Sequence, residues 1–148
     1  MRNKNAQRQH FVAPFTTNGI APASNLFLPL AKYITDITDS TDDQTDEFTD
    51  YAGDGTPQVE VTGFQEAWEV SGTFDSTDPA QALIAGMKRN IGNGRKLWHR
   101  IVESNGQRAI VGVATALDIV SGSGSADEHE EFSCTLKFDQ RPTVSNLT

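Results

Sequence analysis

The sequence predicts an α+β fold that is mainly β: an antiparallel β-sandwich or barrel with one flanking α-helix and a long acidic inter-strand loop. Three observations predict it. Several runs alternate apolar and polar residues with period two, the mark of half-buried strands. Only one stretch carries apolar residues at helical spacing. Hairpin and turn signals, Asn105-Gly106 above all, separate the runs, and such short links join antiparallel neighbours.

At 148 residues the chain is expected to form one domain, large enough to bury roughly 68–70% of its unfolded surface. Its hydrophobic content of 36% is low for a globular chain and fits a modest core with polar extensions. The expected division is an extended N-terminal arm over 1–25, a β-domain over 26–140 and a polar C-terminal tail over 141–148.

Residues 1–25 carry Arg2, Lys4, Arg8 and His10 and are then broken by Pro14, Asn18-Gly19 and Pro22. No period survives, so this arm is either a frayed terminus or a segment that docks on a neighbouring subunit. Residues 32–37 read as the first strand, with Pro29 confining its approach to an edge. Beyond Gly55-Thr56-Pro57, Val59, Val61, Trp68, Val70 and Phe74 alternate with Glu60, Thr62, Glu69, Ser71 and Thr73. That pattern gives two strands with Gly63 near their corner.

Asp75-Ser76-Thr77-Asp78-Pro79 is a helix start, with capping side chains and Pro at the first helical position. Ala80, Leu83, Ile84, Met87 and Ile91 form one apolar stripe behind it. Lys88 and Arg89 fall in the last turns, and Gly92-Asn93-Gly94 ends the helix. Three strands close the chain, over 95–103, 108–120 and 128–139. In the last, Phe132, Cys134, Leu136 and Phe138 face one way and Glu131, Ser133, Thr135 and Lys137 the other.

Charge is concentrated in one place. The stretch 36–55, DITDSTDDQTDEFTDYAGDG, holds Asp36, Asp39, Asp42, Asp43, Asp46, Glu47, Asp50 and Asp54 and no Lys or Arg. The chain has 20 acids and 12 bases, so this stretch accounts for the whole net charge of −8. Its large apolar groups are only Ile37, Phe48 and Tyr51. Ordering a residue costs about 1–2 kcal/mol, and like charges repel, so a loop mobile in the isolated monomer is expected.

Such a loop cannot stack on its own copy. In a self-associating protein it would seek a basic surface on a neighbour, and Lys88, Arg89, Arg95 and Lys96 around the Gly92-Asn93-Gly94 turn form one. A plainer role for Lys88 and Arg89 is to complement the helix dipole. One patch meeting a different patch is a heterologous contact, which builds rings or open filaments.

Other function classes find little support. His10, His99 and His129 have no catalytic signature beside them, and no nucleophile, phosphate-loop or dinucleotide motif occurs. Cys134 alternates with core residues and reads as buried; a single cysteine gives neither a disulfide nor a CxxC site, and nothing argues for an oxidising compartment. An EF-hand placed with Asp39 first lacks the required Gly at Gln44 and has Asp50 where a bidentate Glu belongs. A monomeric calcium-dependent β-sandwich binding module with an irregular site remains the competing class; no cofactor and no metal ligands are assigned. The basic N-terminus lacks the apolar run of a secretory signal, and no stretch is long and apolar enough to span a membrane. An acidic balance also argues against binding a phosphate backbone.

The order of these segments resembles the major tail protein, the tail tube protein, of phages with long non-contractile tails. The resemblance covers residues 30–144. It rests on LAKYITDIT and the acidic stretch, then VEVTGFQEAWEVSGTFDSTDPAQALIAGM, RKLWHRIVESNGQRAIVGVATALDIVSGSG and EEFSCTLKFDQRPT, ending in an Arg-Pro turn. It implies the tail-tube fold, also shared by type VI secretion tubes, with six-fold rings stacked into a hollow tube in the virion tail, assembled in the host cytoplasm. In such tubes the long loop after the first strand orders on assembly and bridges rings. That role would fall on 36–56 here, with Arg2, Lys4 and Arg8 of the arm and the C-terminal tail adding ring-to-ring contacts.

Implied partners are further copies of the chain, a tape-measure protein in the lumen, and terminator and distal tail or baseplate proteins at the ends. Double-stranded DNA would pass without specific binding, and no membrane is involved. Longer members carry a second domain beyond the position of Thr148, so no surface decoration is implied. The polar faces Glu69, Ser71, Thr73 and Glu131, Ser133, Thr135 are the candidates to line an acidic, DNA-repelling lumen.

Overall fold

The computed structural model describes residues 2–147; Met1 and Thr148, the outer ends of the expected arm and tail, lie outside the described residues. In chain order the elements are β1 (Gln9–Pro14), β2 (Leu28–Pro29), β3 (Ile34–Asp39), β4 (Asp42–Phe48), β5 (Gln58–Gln65) and β6 (Ala67–Thr73). Helix α1 (Pro79–Ala85) follows, then β7 (Lys96–Val102), β8 (Arg108–Ser121), β9 (Glu131–Phe138) and β10 (Thr143–Asn146). Eight strands form one antiparallel sheet in the order β2-β1-β7-β8-β9-β6-β3, with β10 paired to β8; β4 and β5 pair only with each other.

The sheet is curled into a half-barrel. Three strands separate β1 from β6, so a flat sheet would hold them about 19 Å apart at ~4.8 Å per strand. Instead the His10 ring of β1 stands edge-on to Trp68 of β6 with centroids 5.1 Å apart. Arg8, just before β1, donates from Nη2 to the Ile37 carbonyl of β3 at 3.1 Å. The concave face carries the core, with Val70 of β6, Leu97 and Ile101 of β7, Ala114 and Ala116 of β8, and Phe132, Cys134, Leu136 and Phe138 of β9. Ala80, Ile84 and Met87 close it from the helix side.

Close packing at two points requires glycine. A Cβ on Gly112 of β8 would stand 3.0 Å from the Phe138 ring, which needs that space to stack under His99. A Cβ on Gly72 would overlap the Tyr33 carbonyl, which accepts a hydrogen bond from Thr73 N–H at 2.9 Å where β3 and β6 slip register.

The helix begins where its caps place it. Asp78 accepts from Gln81 N–H at 3.2 Å, and Pro79 occupies the first turn. The fully buried Gln81 side chain ties the helix to the sheet, donating to the Lys32 and Thr73 carbonyls and accepting from Asp75 N–H. The helix does not run on to Gly92: it ends at Ala85, after which Met87, Lys88 and Asn90 donate three residues back in tight turns. Arg95 explains the early stop. Its guanidinium takes the Lys88 and Asn90 carbonyls, which a continuing helix would have bonded internally, and also reaches the Ala116 carbonyl of β8. Ile91 therefore leaves the apolar stripe and is 89% exposed.

Three further expectations are corrected. The arm is not an undivided extension: β1 pairs along β7 over six residues, and Val12 and Ala13 are fully buried, because Phe11-Val12-Ala13 supplies an apolar face on both sides of the sheet. Trp98, Ala13 and Phe27 make a small second cluster on the convex face, and Trp98 Nε1 donates to Thr16 Oγ1 at 2.8 Å. In the tail, β10 uses the edge of β8 that β9 leaves free. Gly63 lies inside β5, opposite a register shift at Gln44 and Thr45; the corner falls at Glu66.

Candidate assembly surfaces

The acidic stretch is mostly strand, not loop. Asp36 and Asp39 lie in β3, Asp42, Asp43, Asp46 and Glu47 in β4, and only Asp50 and Asp54 in the turn before β5. Repulsion loses because the acids point into solvent while β3 ladders along β6 and β4 along β5, and Ile34 and Ile37 pack on the core. Some carboxylates also build turns. Asp39 accepts from Thr41 N–H at 2.9 Å, Asp50 from Gly53 N–H at 3.1 Å and Asp54 from Thr56 N–H at 2.9 Å. The Thr56 bonds hold the Asp54 carboxyl below its ordinary range.

β3 and β6 continue into β4 and β5, linked by Ser40 N–H to the Ala67 carbonyl at 2.8 Å. The β4–β5 ribbon then leaves the sheet; seven residues of β4 carry it about 23 Å outward. Cross-strand pairing assigns its faces. Asp43 opposes Phe64, Thr45 opposes Val61 and Glu47 opposes Val59, so one face has an apolar row on β5 beside acids on β4. Val59, Val61 and Phe64 are 65%, 58% and 41% exposed. The Arg141 guanidinium lies 5.4 Å from the Phe64 ring centroid, fixing the base of the ribbon against the turn after β9.

The expected basic patch divides in two. Arg95 is committed to backbone carbonyls, as above, and Lys96 Nζ pairs with Asp139 at 2.6 Å. Neither is available as a contact. Lys88 is half-buried and Arg89 exposed, on the turn that also presents Ile91, and neither is in the last turn of α1.

The candidate lumen residues do come together. Glu69 opposes Thr135, Ser71 opposes Ser133 and Thr73 opposes Glu131, so all six share the convex face of β6 and β9. Asp36 and Thr38 extend that face through β3, and Asp118 through β8, around a shallow cleft of about 300 Å³. Asp118 has φ 51° at the register shift in β8, which lets Ile119 turn into the core.

Of the arm cations, Arg8 is a structural link rather than a free one. Besides Ile37 it donates to Asn5 Oδ1 and to His10 Nε2, and its guanidinium lies 5.0 Å from the Trp68 ring centroid. Arg2 and Lys4 are exposed. Sequence reasoning missed the continuation inward, where His10 Nδ1 lies 3.1 Å from His99 Nε2, both rings buried. The only signal was His10 standing directly before the Phe11-Val12-Ala13 run. Burial and the Arg8 charge push the His10 pKa down to about 4, burial holds that of His99 well below its ordinary value, and burial raises the Cys134 thiol to about 12. These groups are arranged for packing, with no nucleophile–base geometry among them. Among the described residues no group of three or more His, Cys, Asp or Glu stands close enough to hold a metal ion. No helix among them is long and apolar enough to cross a membrane.

No family model matches the sequence, and no curated protein does. Solved structures do. A chain from the tail of an empty GTA particle, refined helically with C6 symmetry, superposes with a TM-score of 0.71 at 11% identity, over 99% of this chain and 100% of that one. A chain from the virion of a native gene transfer agent gives 0.69 at 9% identity over the same shares. One from the sheath-tube complex of an extracellular contractile injection system gives 0.57 at 13% identity, over 99% and 93%. The mainly β half-barrel with one helix is thus the fold of chains in these tail and tube assemblies.

Proposed function

We propose that the chain is a structural tube subunit and not an enzyme: copies form six-fold rings that stack into the hollow tube of a phage-type virion tail. The observation that carries the reading is the end-to-end match of fold, with 99% of the chain superposing on a tail chain refined with C6 symmetry. The ribbon supports it from within, since a two-stranded hairpin that buries no face is marginal alone and gains by docking on a neighbour. The neighbours come from a GTA tail and virion and from a contractile sheath-tube complex; the ordered sequence resemblance favours the long non-contractile type.

In this reading the ribbon bridges rings, aided by Arg2, Lys4 and the β10 tail. The convex polar face of β6 and β9 lines the lumen. Its carboxylates Glu69 and Glu131, with Asp36 and Asp118 beside them, repel DNA phosphates within a screening distance of about 8 Å, so an exiting genome does not adhere. A tape-measure protein occupies the lumen during assembly, and terminator and distal tail or baseplate proteins cap the ends. The test is negative-stain microscopy of the purified protein across protein and salt concentrations. Hollow tubes or rings with six-fold end views are expected; only monomers under every condition would overturn the reading.

A further inference from the structure

The ribbon's apolar row and the turn after α1 are complementary, and we infer that they bind one another between copies of this chain. Specifically, Ile91 of one subunit seats on Val59, Val61 and Phe64 of another, with Lys88 and Arg89 facing Asp43 and Glu47. The inference rests on the tube reading and names the partner of its ribbon.

The argument starts from an excess of each kind of group. Between Asp42 and Gln65 the ribbon carries Asp42, Asp43, Asp46, Glu47, Asp50, Asp54 and Glu60 and no cation. Within that field Val59, Val61 and Phe64 line up on one face, exposed. Acids on β4 forbid that face from pairing with its own copy, so its occupant must be apolar at the centre and basic at the rim.

The chain's 12 cations can be sorted by what already holds them. Arg8, Lys32, Arg95, Lys96, Arg100, Arg108 and Arg141 are engaged by carboxylates, carbonyls or aromatic rings. Arg2, Lys4, Lys88, Arg89 and Lys137 have no such intramolecular partner among the described residues. Only Lys88 and Arg89 stand beside an exposed aliphatic side chain on a convex turn. Ile91, extended at φ −134°, projects from it, and the Arg95 bonds to Lys88, Asn90 and Ala116 brace the turn from beneath. A braced apolar knob with a cationic rim fits an apolar seat with an acidic rim. Because seat and knob lie on different elements, each subunit offers both, and the contact is heterologous, the kind that builds rings or open filaments.

The test pairs cysteine cross-linking with charge exchange on the full chain. A variant carrying V61C and I91C should yield reducible multimer ladders on non-reducing gels after tube formation; each single variant should not, since Cys134 is buried. I91D, K88E/R89E and D43K/E47K should each abolish tubes while the monomer melts as wild type, and combining K88E/R89E with D43K/E47K should restore them. Tubes that form with I91D, or that give no ladder from V61C/I91C, would overturn this pairing and leave the tube reading intact. Absence of tubes from the wild-type chain under every condition would overturn both.

Discussion

His99 is fully buried and its Nδ1 has no hydrogen-bond partner among the described residues. The chain of donors explains why. Arg8 Nε–H can only donate, so His10 Nε2 accepts, and neutral His10 carries its proton on Nδ1. That proton goes to His99 Nε2, leaving the His99 proton on the orphaned Nδ1, at a cost of about 1–3 kcal/mol. Protonating His10 would place a cation beside Arg8, with Trp68 packed on the His10 ring, Phe138 on the His99 ring, and Asp36 the carboxylate that lines the adjoining cleft. The sign follows: folded His10 titrates near 4 and the unfolded group near 6.5, so acid favours the unfolded chain. The His10 contribution to stability is complete above pH 6.5 and falls through pH 4, about 3 kcal/mol at most. Urea midpoints should drop between pH 7 and pH 4.5 in wild type and drop less in His10→Gln. Equal drops in both would sink the account.

Among elements, legibility followed how local the determining physics is. β9 was readable because its alternation is the alternation of its two faces, and the β7–β8 hairpin because Gly106 adopts φ 72° at the turn that Asn105-Gly106 announces. Helix α1 was read too long because its end is set by Arg95, a side chain beyond it. Charge alone does not reveal the acidic strands: they form because Thr and Ile residues lie between the acids and because β4 has a cross-strand partner, from Phe48 opposite Gln58 to Asp42 opposite Gln65. What charge reasoning retained is that β4–β5 makes little of its own stability. Its amides should exchange faster than those of β9 in the monomer and slow in the tube. Arg141 packs the ribbon base against the body, so Arg141→Ala should speed that monomer exchange further without shifting the global melting midpoint by more than about 4 °C, as befits an exposed cation–π contact of about 0.5–1 kcal/mol. Unchanged ribbon exchange in Arg141→Ala would show that the ribbon is held some other way.

At the scale of the whole molecule the curl divides the sheet's two faces between two jobs. The concave side takes the apolar residues of β6 and β9 into the core, which obliges Glu69, Ser71, Thr73, Glu131, Ser133 and Thr135 to share the convex side. Period two alone puts Glu69, Ser71 and Thr73 on one side of β6 and Glu131, Ser133 and Thr135 on one side of β9; that the two sets meet on one face beside Asp36 and Asp118 is not legible from it, because strand order and the β8 register shift are tertiary facts. If this face lines a lumen, its sign decides whether DNA slides or sticks. Glu69→Lys with Glu131→Lys replaces two exposed carboxylates by ammonium groups without touching the core, so folding and tube formation should persist. Wild-type tubes should retain no double-stranded DNA even at low salt. The reversed tubes should retain it, with an affinity that falls by about 0.9 log units per phosphate contact for each tenfold rise in salt. Retention that a nuclease removes as readily as free DNA would put the face on the outside of the tube. No retention by intact reversed tubes would remove the electrostatic account of DNA passage altogether.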